Sequence, residues 1–419
     1  MATIRLALKS LWNRRQTALL TFVAITLSVA LLLSVDRVRS DAHTSFANTI
    51  SQTDLIVGAR SGSMQLLLYS VFRMGSPTNN ITWESYQDIA DHDAVQWTVP
   101  LMLGDAYRGY PVLGTSAVYF DHYRYARGES LALAEGERFD DLYDAVLGAR
   151  VAEELEHALG DEIVISHGGG DVSFRDHDDK PFTVAGILEP TGTPVDRTVH
   201  ISLEGFEALH VDWRGGAPMP GQSIDADEAR ERDLTPSSIT AALVGLESRM
   251  DTFAVQRYVN NYREEPLLAI LPGVALQELW DLMAVAERAL LAVSGFVVLV
   301  GLIGMTTALL AGLNERRREM AILRATGARP GQIFGLLVSE AVALALAGAA
   351  AGLALLYLGL WLLRPWVAAE YGLFLEMAPP SPREWALLGG VVGAGFVLGA
   401  VPAWRAYRQS IADGLTVRL

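Results

Sequence analysis

The chain has 419 residues, no cysteine and a net charge of −15 at pH 7. Without cysteine there is no disulfide framework and no thiol chemistry, and a strongly acidic chain is not expected to bind nucleic acid. Hydrophobic residues make up 51% of the sequence, and they concentrate at the N-terminus and in the last third. This uneven distribution indicates a membrane protein with a separate polar domain.

Four stretches lack charged residues for long enough to cross a bilayer, which takes about 20 residues. They are residues 16–35, 289–313, 341–363 and 385–404. We interpret the first as an uncleaved anchor, because its apolar part is longer than a signal-peptide core and no small-residue cleavage site closely follows. The predicted fold class is a membrane protein with four transmembrane α-helices and a large extracytoplasmic α+β domain inserted between helices 1 and 2.

The distribution of charge predicts the orientation of the chain. Residues 1–15, 314–333 and 405–419 together contain 12 basic and 3 acidic residues, whereas residues 36–282 contain 18 basic and 40 acidic residues. Basic segments stay on the cytoplasmic side. Both termini and the 314–333 loop are therefore predicted to be cytoplasmic, and residues 36–282 to lie outside, in a periplasm or beyond a cell membrane.

In chain order, the predicted parts follow from these limits. They are a cytoplasmic elbow helix (1–15), span one (16–35), the periplasmic domain with its stalk helices (36–282), span two (283–313), a cytoplasmic coupling loop and helix (314–333), span three (334–363), a short external loop (364–383), span four (384–404) and a cytoplasmic tail (405–419).

Within the periplasmic domain, apolar patterns predict alternating strands and helices. The strands are predicted at 54–59, 94–103, 107–115, 162–166, 182–188, 199–202, 238–246 and 267–271, the helices at 65–74, 83–91, 203–210 and 252–262, and a strand–turn–helix unit at 146–157. Residues 217–233, rich in Pro, Gly, Asp and Glu, are predicted to form an exposed loop. Continuous helix is predicted from residue 274 into span two, and span one is predicted to continue outward as a first stalk.

The loop between spans two and three, NERRREMAILRATGARPGQI, has a short amphipathic helix in its middle, with Gly327 placed to end it and Pro330 placed to begin the next helix. A short basic helix between two spans is suited to receive force from a cytoplasmic partner. The chain contains no G-x-x-x-x-G-K-S/T, G-x-S-x-G or H-E-x-x-H motif. It is therefore not predicted to be an enzyme by itself or to bind a cofactor, and a separate subunit would supply the energy.

Two groups of side chains are further candidates. Glu340 is the best intramembrane candidate, either as a gating contact or as a carboxylate near the headgroups that pairs with a loop arginine. Imidazole and carboxylate together suit a divalent transition metal, although the spacing matches no fixed template and a solvated Gly/Asp-rich hairpin is the alternative. The metal candidates are His167, Asp171, Asp176, His177 and Asp179.

Three stretches resemble the MacB/FtsX-type permeases of ABC transporters, which include the lipoprotein-releasing permeases. They are IRLALKSLWNRRQTALLTFVAITLSVALLL at the start, ERRREMAILRATGARPGQIFGLLVSEA in the middle and PAWRAYRQSIADGLTVRL at the end. The resemblance implies a homodimer, or a pair with a sister permease, that acts with an ABC ATP-binding subunit holding ATP and Mg²⁺. It also implies mechanotransmission, in which ATP-driven motion of the cytoplasmic loop moves the periplasmic domain.

On this chain the resemblance assigns coupling to one run of the middle loop; packing of its apolar members against the protein itself is the alternative. The run is Arg316, Arg317, Arg318, Glu319, Met320, Ile322, Leu323 and Arg324. The function expected first is export or extraction of an amphiphile, peptide or lipoprotein, with a periplasmic adaptor or soluble protein as a further partner. The alternatives are a regulatory permease that controls a cell-wall hydrolase and a permease of a metal- or metallophore-related system.

Overall fold

The computed structural model describes residues 15–126, 128–168, 175–214, 217–218, 224–315, 322, 324–325, 327–371 and 377–408. The chain divides into two compact units. The helix bundle consists of Met1–Asp41, Ala284–Trp366 and Leu375–Leu419, and the sheet domain of Ala42–Met283 and Val367–Phe374. The predicted elbow helix, apart from Arg15, and the tail beyond residue 408 lie outside the described residues.

The described helices and strands alternate through the sheet domain and are followed by long helices. The α-helices are α1 (Arg15–Thr49), α2 (Ser63–Ser70), α3 (Trp83–Ala90), α4 (Val118–His122), α5 (Ala149–Leu155), α6 (Leu203–His210), α7 (Ala226–Arg230), α8 (Thr252–Asn260), α9 (Pro272–Glu315), α10 (Pro330–Tyr371) and α11 (Pro382–Arg408). The strands are β1 (Leu55–Ala59), β2 (Ile81–Thr82), β3 (Val95–Tyr107), β4 (Tyr110–Thr115), β5 (Arg124–Tyr125), β6 (Glu129–Ser130), β7 (Leu133–Gly136), β8 (Asp144–Leu147), β9 (Glu162–Ile163), β10 (Ser166–His167), β11 (Arg175–Asp176), β12 (Phe182–Leu188), β13 (Val199–Ser202), β14 (Trp213–Arg214), β15 (Ala217–Pro218), β16 (Ser238–Ile239), β17 (Ala241–Leu246) and β18 (Leu267–Ile270).

The four predicted spans are confirmed as helices that are long and apolar enough to cross a membrane. They are Arg15–Thr44, Pro272–Leu313, Pro330–Arg364 and Pro382–Arg408. Pro330 begins α10 as predicted, and Gly327 has a φ of 100°, which suits a glycine just past a helix end. Residues 364–371, which belong to the segment predicted as a short external loop, continue α10 as helix.

Small residues allow the bundle helices to approach closely. Gly348 and Gly352 of α10 face Ile25 and Val29 of α1, and a Cβ added to Gly352 would lie 2.7 Å from Cβ of Val29. Gly395 and Gly399 of α11 face two alanines of α10 in the same way, Ala345 and Ala341. Both glycine pairs are G-x-x-x-G motifs, whose lack of side chains allows van der Waals contact between helix backbones in lipid.

One end of the bundle contains a buried ion-pair network. Nη1 of Arg37 lies 3.3 Å from Oε2 of Glu384, and its Nη2 donates to the carbonyl of Ala378 at 2.7 Å. Beside this pair, Nε of Arg383 lies 2.9 Å from Oδ1 of Asp36. The side chains of Arg37 and Glu384 are 6% and 2% exposed. The network therefore joins α1 to the start of α11 with little access to water.

The sheet domain is built on one mixed sheet with strand order β18-β1-β17-β3-β4-β13-β8-β12-β7, to which β9, β10 and β11 add at the side. The pairs β4–β13 and β8–β12 are parallel and the other pairs along this order are antiparallel. In β1, Leu55 and Val57 belong to one buried cluster and Ile56 to another. Both faces of the central strands are thus covered, which explains why these strands are almost continuously apolar.

Several predicted elements of the sheet domain are confirmed, among them Phe182–Leu188 and Leu203–His210. Within the exposed loop predicted at 217–233, residues 217–218 form β15 and residues 226–230 form α7, whereas residues 231–233 are exposed and lie outside helices and strands. Asp225 accepts a hydrogen bond from the Glu228 backbone and starts α7, whose Ala229 is fully buried. A local N-cap and one buried methyl group are enough to form this short helix despite its polar composition.

Candidate functional site

Most of the predicted coupling residues lie outside the described residues: Arg316, Arg317, Arg318, Glu319, Met320 and Leu323. Ile322 is helical and 57% exposed, and Arg324 is helical and partly buried. Glu340 is fully buried in α10. Their functional roles therefore stay predictions.

In the sheet domain, four side chains from separate elements converge. Asp105 of β3, His167 of β10, His177 and His210 of α6 each offer one ligand atom, and these atoms all lie within 4.8 Å of one another. We call these four residues the three-histidine cluster. Nδ1 of His167 lies 2.9 Å from Oδ1 of Asp105, and Nε2 of His210 lies 3.2 Å from Nδ1 of His167 and 3.5 Å from Oδ2 of Asp105. Two of the metal candidates named from the sequence, His167 and His177, are members of the cluster, and their role as metal ligands stays a prediction.

Local backbone structure explains how Asp105 points into this cluster. It follows Gly104, whose φ of 157° is rarely adopted by residues with a side chain, and the β3–β4 register shifts between Leu103 and Ala106. Such a bulge redirects the side chain beside it. On its other edge β3 pairs with β10, where His167 is the direct antiparallel partner of Asp105.

The other two histidines are held by backbone hydrogen bonds. The backbone N–H of His177 donates to the Ile165 carbonyl at 2.9 Å. Nδ1 of His210 lies 3.1 Å from the Phe206 carbonyl, one turn earlier in α6. Since a carbonyl only accepts, Nδ1 of His210 is the protonated nitrogen of this contact, and Nε2 is the atom directed to Asp105 and His167.

Burial and the Asp105 carboxylate set the protonation of the cluster. Burial lowers the pKa of His177 to about 4, so this ring is neutral near pH 7. Burial also acts to lower the pKa of His210, but its hydrogen bond with Asp105 and the charge of that carboxylate outweigh burial and raise it. For Asp105, burial favours the neutral acid, yet the hydrogen bonds from His167 and His210 hold its pKa below the usual value. The cluster thus contains an ionised carboxylate among imidazoles.

The remaining metal candidates are placed differently. Asp171 lies outside the described residues, and only the backbone of Asp176 is described, in β11. Asp179 is not among the four clustered ligands; its Oδ2 lies 2.8 Å from Nζ of the buried Lys180. The sequence missed Asp105 and His210, which lie 62 and 43 residues from His167, so no local spacing could reveal them.

A cavity of about 1220 Å³ adjoins the cluster. Asp105 and His167 line one part of its wall, and Tyr69, Arg73, Asn79 and Asn80 line others. The side chain of His167 is 31% exposed whereas that of Asp105 is fully buried. The cluster can therefore be reached from the cavity through His167.

Two family models match the chain: a MacB-like periplasmic core domain over residues 18–261 and an FtsX-like permease C-terminal region over residues 291–411. The macrolide export ATP-binding/permease protein MacB of Nitrobacter winogradskyi is 25% identical over 82% of this chain and 51% of its own length. An uncharacterized ABC transporter permease of Methanocaldococcus jannaschii is 22% identical over 96% of this chain and 93% of its own length. The crystal structure of the periplasmic region of MacB from Actinobacillus actinomycetemcomitans is 12% identical, covers 55% of this chain and 94% of its own, and has a TM-score of 0.34.

This chain thus spans about half the length of the MacB relative from Nitrobacter winogradskyi. The first family model alone covers more than half of the chain, and the second covers the helices that follow it. The resemblance inferred from the three sequence stretches is confirmed, as is a fold of four apolar helices with an α+β domain between the first and the second. The chain belongs to the family of MacB-like ABC transporter permeases, with an FtsX-like C-terminal region.

Proposed function

We propose that this permease converts ATP hydrolysis in a separate cytoplasmic subunit into movement of its periplasmic domain. ATP and Mg²⁺ are bound by that subunit, and the chain itself is not an enzyme. The MacB relative is named as both an ATP-binding protein and a permease, and this chain spans about half of its length. In the proposed complex an ATP-binding subunit acts with two permease copies, or with one copy and a sister subunit.

The orientation proposed for the complex places both termini and residues 314–333 in the cytoplasm of a bacterial cell and residues 36–282 in the periplasm. The excess of basic residues in the cytoplasmic segments and the 40 acidic residues in the periplasmic segment support it. Residues 316–320 and 322–324 are proposed as the contact with the ATP-binding subunit. This assignment rests on the resemblance of the middle loop to that of the MacB/FtsX-type permeases.

The single observation that best supports mechanotransmission is the length of two unbroken helices. α1 has 35 residues and α9 has 44, which correspond to about 52 Å and 66 Å at 1.5 Å per residue. The hydrocarbon core of a bilayer is only about 30 Å thick. Each helix therefore extends well beyond a membrane span, and a stiff helix can transmit a displacement from one end to the other.

Contacts between the two helices support joint movement. Oε2 of Glu287 lies 2.6 Å from Nε of Arg39. In the sheet domain, the ring of His43 stacks on Trp280 at a centroid distance of 3.8 Å, and Phe46 meets the edge of the same indole at 5.5 Å. Because these contacts join α1 to α9, we propose that the helices move as a pair.

We propose export or extraction of an amphiphile, peptide or lipoprotein as the work done by this movement, with a periplasmic adaptor or soluble protein as a further partner. The MacB relative is named a macrolide export protein. The periplasmic segment is also large, and FtsX-like regulators of cell-wall hydrolases usually have a smaller one. Export is therefore favoured over hydrolase control.

Breaking α9 near the start of predicted span two tests the proposal. Val285 is 73% exposed, so Val285→Pro disrupts the helix without removing buried packing, and Val285→Ala is the matched control. The ATP-binding partner is first recovered by pull-down and identified. A cysteine introduced at exposed Glu264 is the only thiol in this chain and accepts a spin label in both permease copies.

We expect ATP to change the distance between the two labels in the parent complex and in Val285→Ala. In Val285→Pro the ATP hydrolysis rate should be kept while that change in distance is lost. Met320→Asp should prevent the change by disrupting contact with the ATP-binding subunit. An ATP-dependent distance change in Val285→Pro equal to that in Val285→Ala would contradict transmission through α9.

A further inference from the structure

We propose that the three-histidine cluster is a binding site for one divalent transition metal ion, with Zn²⁺ as the ion that fits best. The ligands would be the carboxylate of Asp105 and the imidazoles of His167, His177 and His210. The site lies wholly within the sheet domain, so the inference does not depend on the proposed ATP-driven function.

The donor set selects the class of ion. Three imidazole nitrogens with one carboxylate oxygen suit zinc and its neighbours in the first transition row, whereas Ca²⁺ and Mg²⁺ prefer oxygen ligands. Four protein ligands also match the number that a closed tetrahedral zinc site requires. The cluster supplies all four of these ligands from residues that the structure describes.

The spacing of the ligand atoms agrees with such an ion. Ligands about 2.0–2.1 Å from a tetrahedral centre are about 3.3–3.4 Å apart. Nδ1 of His167 lies 3.2 Å from Nε2 of His210, which agrees with this spacing. The Asp105 carboxylate approaches the two rings with different oxygens: Oδ1 lies 2.9 Å from Nδ1 of His167, and Oδ2 lies 3.5 Å from Nε2 of His210. All four ligand atoms lie within 4.8 Å of one another, so closure of the site needs about 1.4 Å of relative movement at most.

The contact between His210 and Phe206 fixes the orientation of the His210 ring, as is common for histidines that bind metals. A histidine that binds a metal through one nitrogen usually donates the other N–H to a carbonyl or carboxylate. Nδ1 of His210 makes this contact with the Phe206 carbonyl, and Nε2 is thereby directed at Asp105.

A bound ion would connect three parts of the sheet domain that are distant in sequence. Asp105 belongs to the central strand β3, His167 to the short hairpin β10–β11 and His210 to the last turn of α6. Only two residues of the hairpin pair with β3. Of the three parts, the hairpin would therefore be stabilised most by a bound ion. Since Asp105 and His167 also line the cavity, the ion would fix the position of the cavity wall.

The test uses the full chain in detergent or nanodiscs, purified without a histidine tag and stripped with a chelator. Zn²⁺ binding is measured by calorimetry, and Co²⁺ is used as a probe because its visible absorption reports low-coordinate nitrogen ligation. The variants are His210→Gln and the isosteric Asp105→Asn. The control is His157→Gln, which removes a histidine whose Nδ1 contacts a single carboxylate, that of Asp161, at 3.2 Å.

We expect the parent chain and His157→Gln to bind a single Zn²⁺ with equal affinity, to show the Co²⁺ absorption and to unfold at a higher temperature as Zn²⁺ is added. Each of the two ligand variants should bind Zn²⁺ about 100-fold more weakly and lose the absorption, because loss of an outer partner alone costs about 10–100-fold. The absence of saturable binding by the parent chain would overturn the proposal. So would unchanged affinity in both ligand variants, or equal competition by Ca²⁺.

Discussion

The bundle and the sheet domain distribute apolar and charged side chains in opposite ways. In the bundle, Leu20, Phe296 and Val300 are among the exposed side chains, whereas Arg37 and Glu384 are buried. In the sheet domain, apolar strands such as β17 are buried along their whole length and ion pairs such as Arg138–Asp121 lie at the surface. The difference follows from the surrounding medium, since lipid accepts apolar groups and charged groups in a membrane protein face its interior.

This difference predicts that an arginine–carboxylate pair contributes more to the free energy of unfolding in the bundle than in the sheet domain. Arg37→Ala leaves Glu384 buried without its cation and should destabilise the bundle by about 3–5 kcal/mol. Arg138→Ala breaks a pair that is 41% and 57% exposed and should cost about 0–1 kcal/mol. The free energy of opening is measured by thiol labelling of a single cysteine, at buried Ala403 for the bundle and at buried Ala242 for the sheet domain.

Equal effects of Arg37→Ala and Arg138→Ala would mean that water reaches the Arg37 network, and the comparison would fail. A second substitution at Arg37 separates the effect of charge from that of side-chain geometry. Arg37→Lys keeps the charge but loses the fork that contacts Glu384 and Ala378 together. Its effect should fall between those of the parent chain and Arg37→Ala.

The next effect concerns close helix packing, on which the bundle depends. A Cβ at Gly399 would lie 2.3 Å from Cβ of Ala341, whereas a Cβ at Gly393 meets nothing within 4 Å. Gly399→Val should therefore destabilise the bundle by about 1–3 kcal/mol through overpacking. Gly393→Val, on the same helix, should have little effect in the same labelling experiment at Ala403. A larger loss in Gly393→Val than in Gly399→Val would contradict the packing of α10 on α11.

The last predicted effect is acid sensitivity of the sheet domain. Burial and the nearby Arg73 lower the pKa of His200 from 6.5 to about 3 in the folded domain. Below pH 6.5 the unfolded chain binds a proton at His200 that the folded chain does not. The free energy of unfolding therefore decreases as the pH is lowered, by up to about 1.4 kcal/mol per pH unit. The stability contributed above pH 6.5 is lost progressively as the pH falls toward 3.

His200→Gln should remove this part of the pH dependence. Between pH 7 and pH 5 the variant is expected to lose about 2 kcal/mol less stability than the parent chain, measured by labelling at Ala242. His122→Gln is the control, because His122 stacks on Trp97 near the surface. Parallel pH profiles of the parent chain and His200→Gln would show that His200 can be protonated while buried.

Elements with a strong local signal could be predicted from the sequence. The four spans follow from hydropathy alone, and α6 follows from its N-cap, where the Ser202 hydroxyl accepts from the Gly205 backbone at 2.9 Å. α7 could not be predicted in the same way, because its polar composition hides the one buried alanine that holds it to the core. Local composition thus predicts elements well only when burial and sequence pattern agree.

The cluster shows the same limit for the candidate site. His167 and His177 stand out because they lie in one short Asp- and His-rich stretch. Asp105 enters the site through a bulge after Gly104, and His210 through the last turn of a helix. Both depend on strand pairing and helix packing, which no spacing along the chain encodes.

The pairing of β1 with β18 has a mechanical consequence. These strands lie side by side, with Ile56 opposite Ile270, and they directly follow α1 and directly precede α9. A force that pulls the two helices apart acts on the same end of both strands and would unzip their hydrogen bonds one pair at a time, the weakest direction for a sheet. A force that moves both helices together would leave those bonds unstressed. In the proposed mechanism, the contacts between α1 and α9 would therefore protect the sheet from tearing.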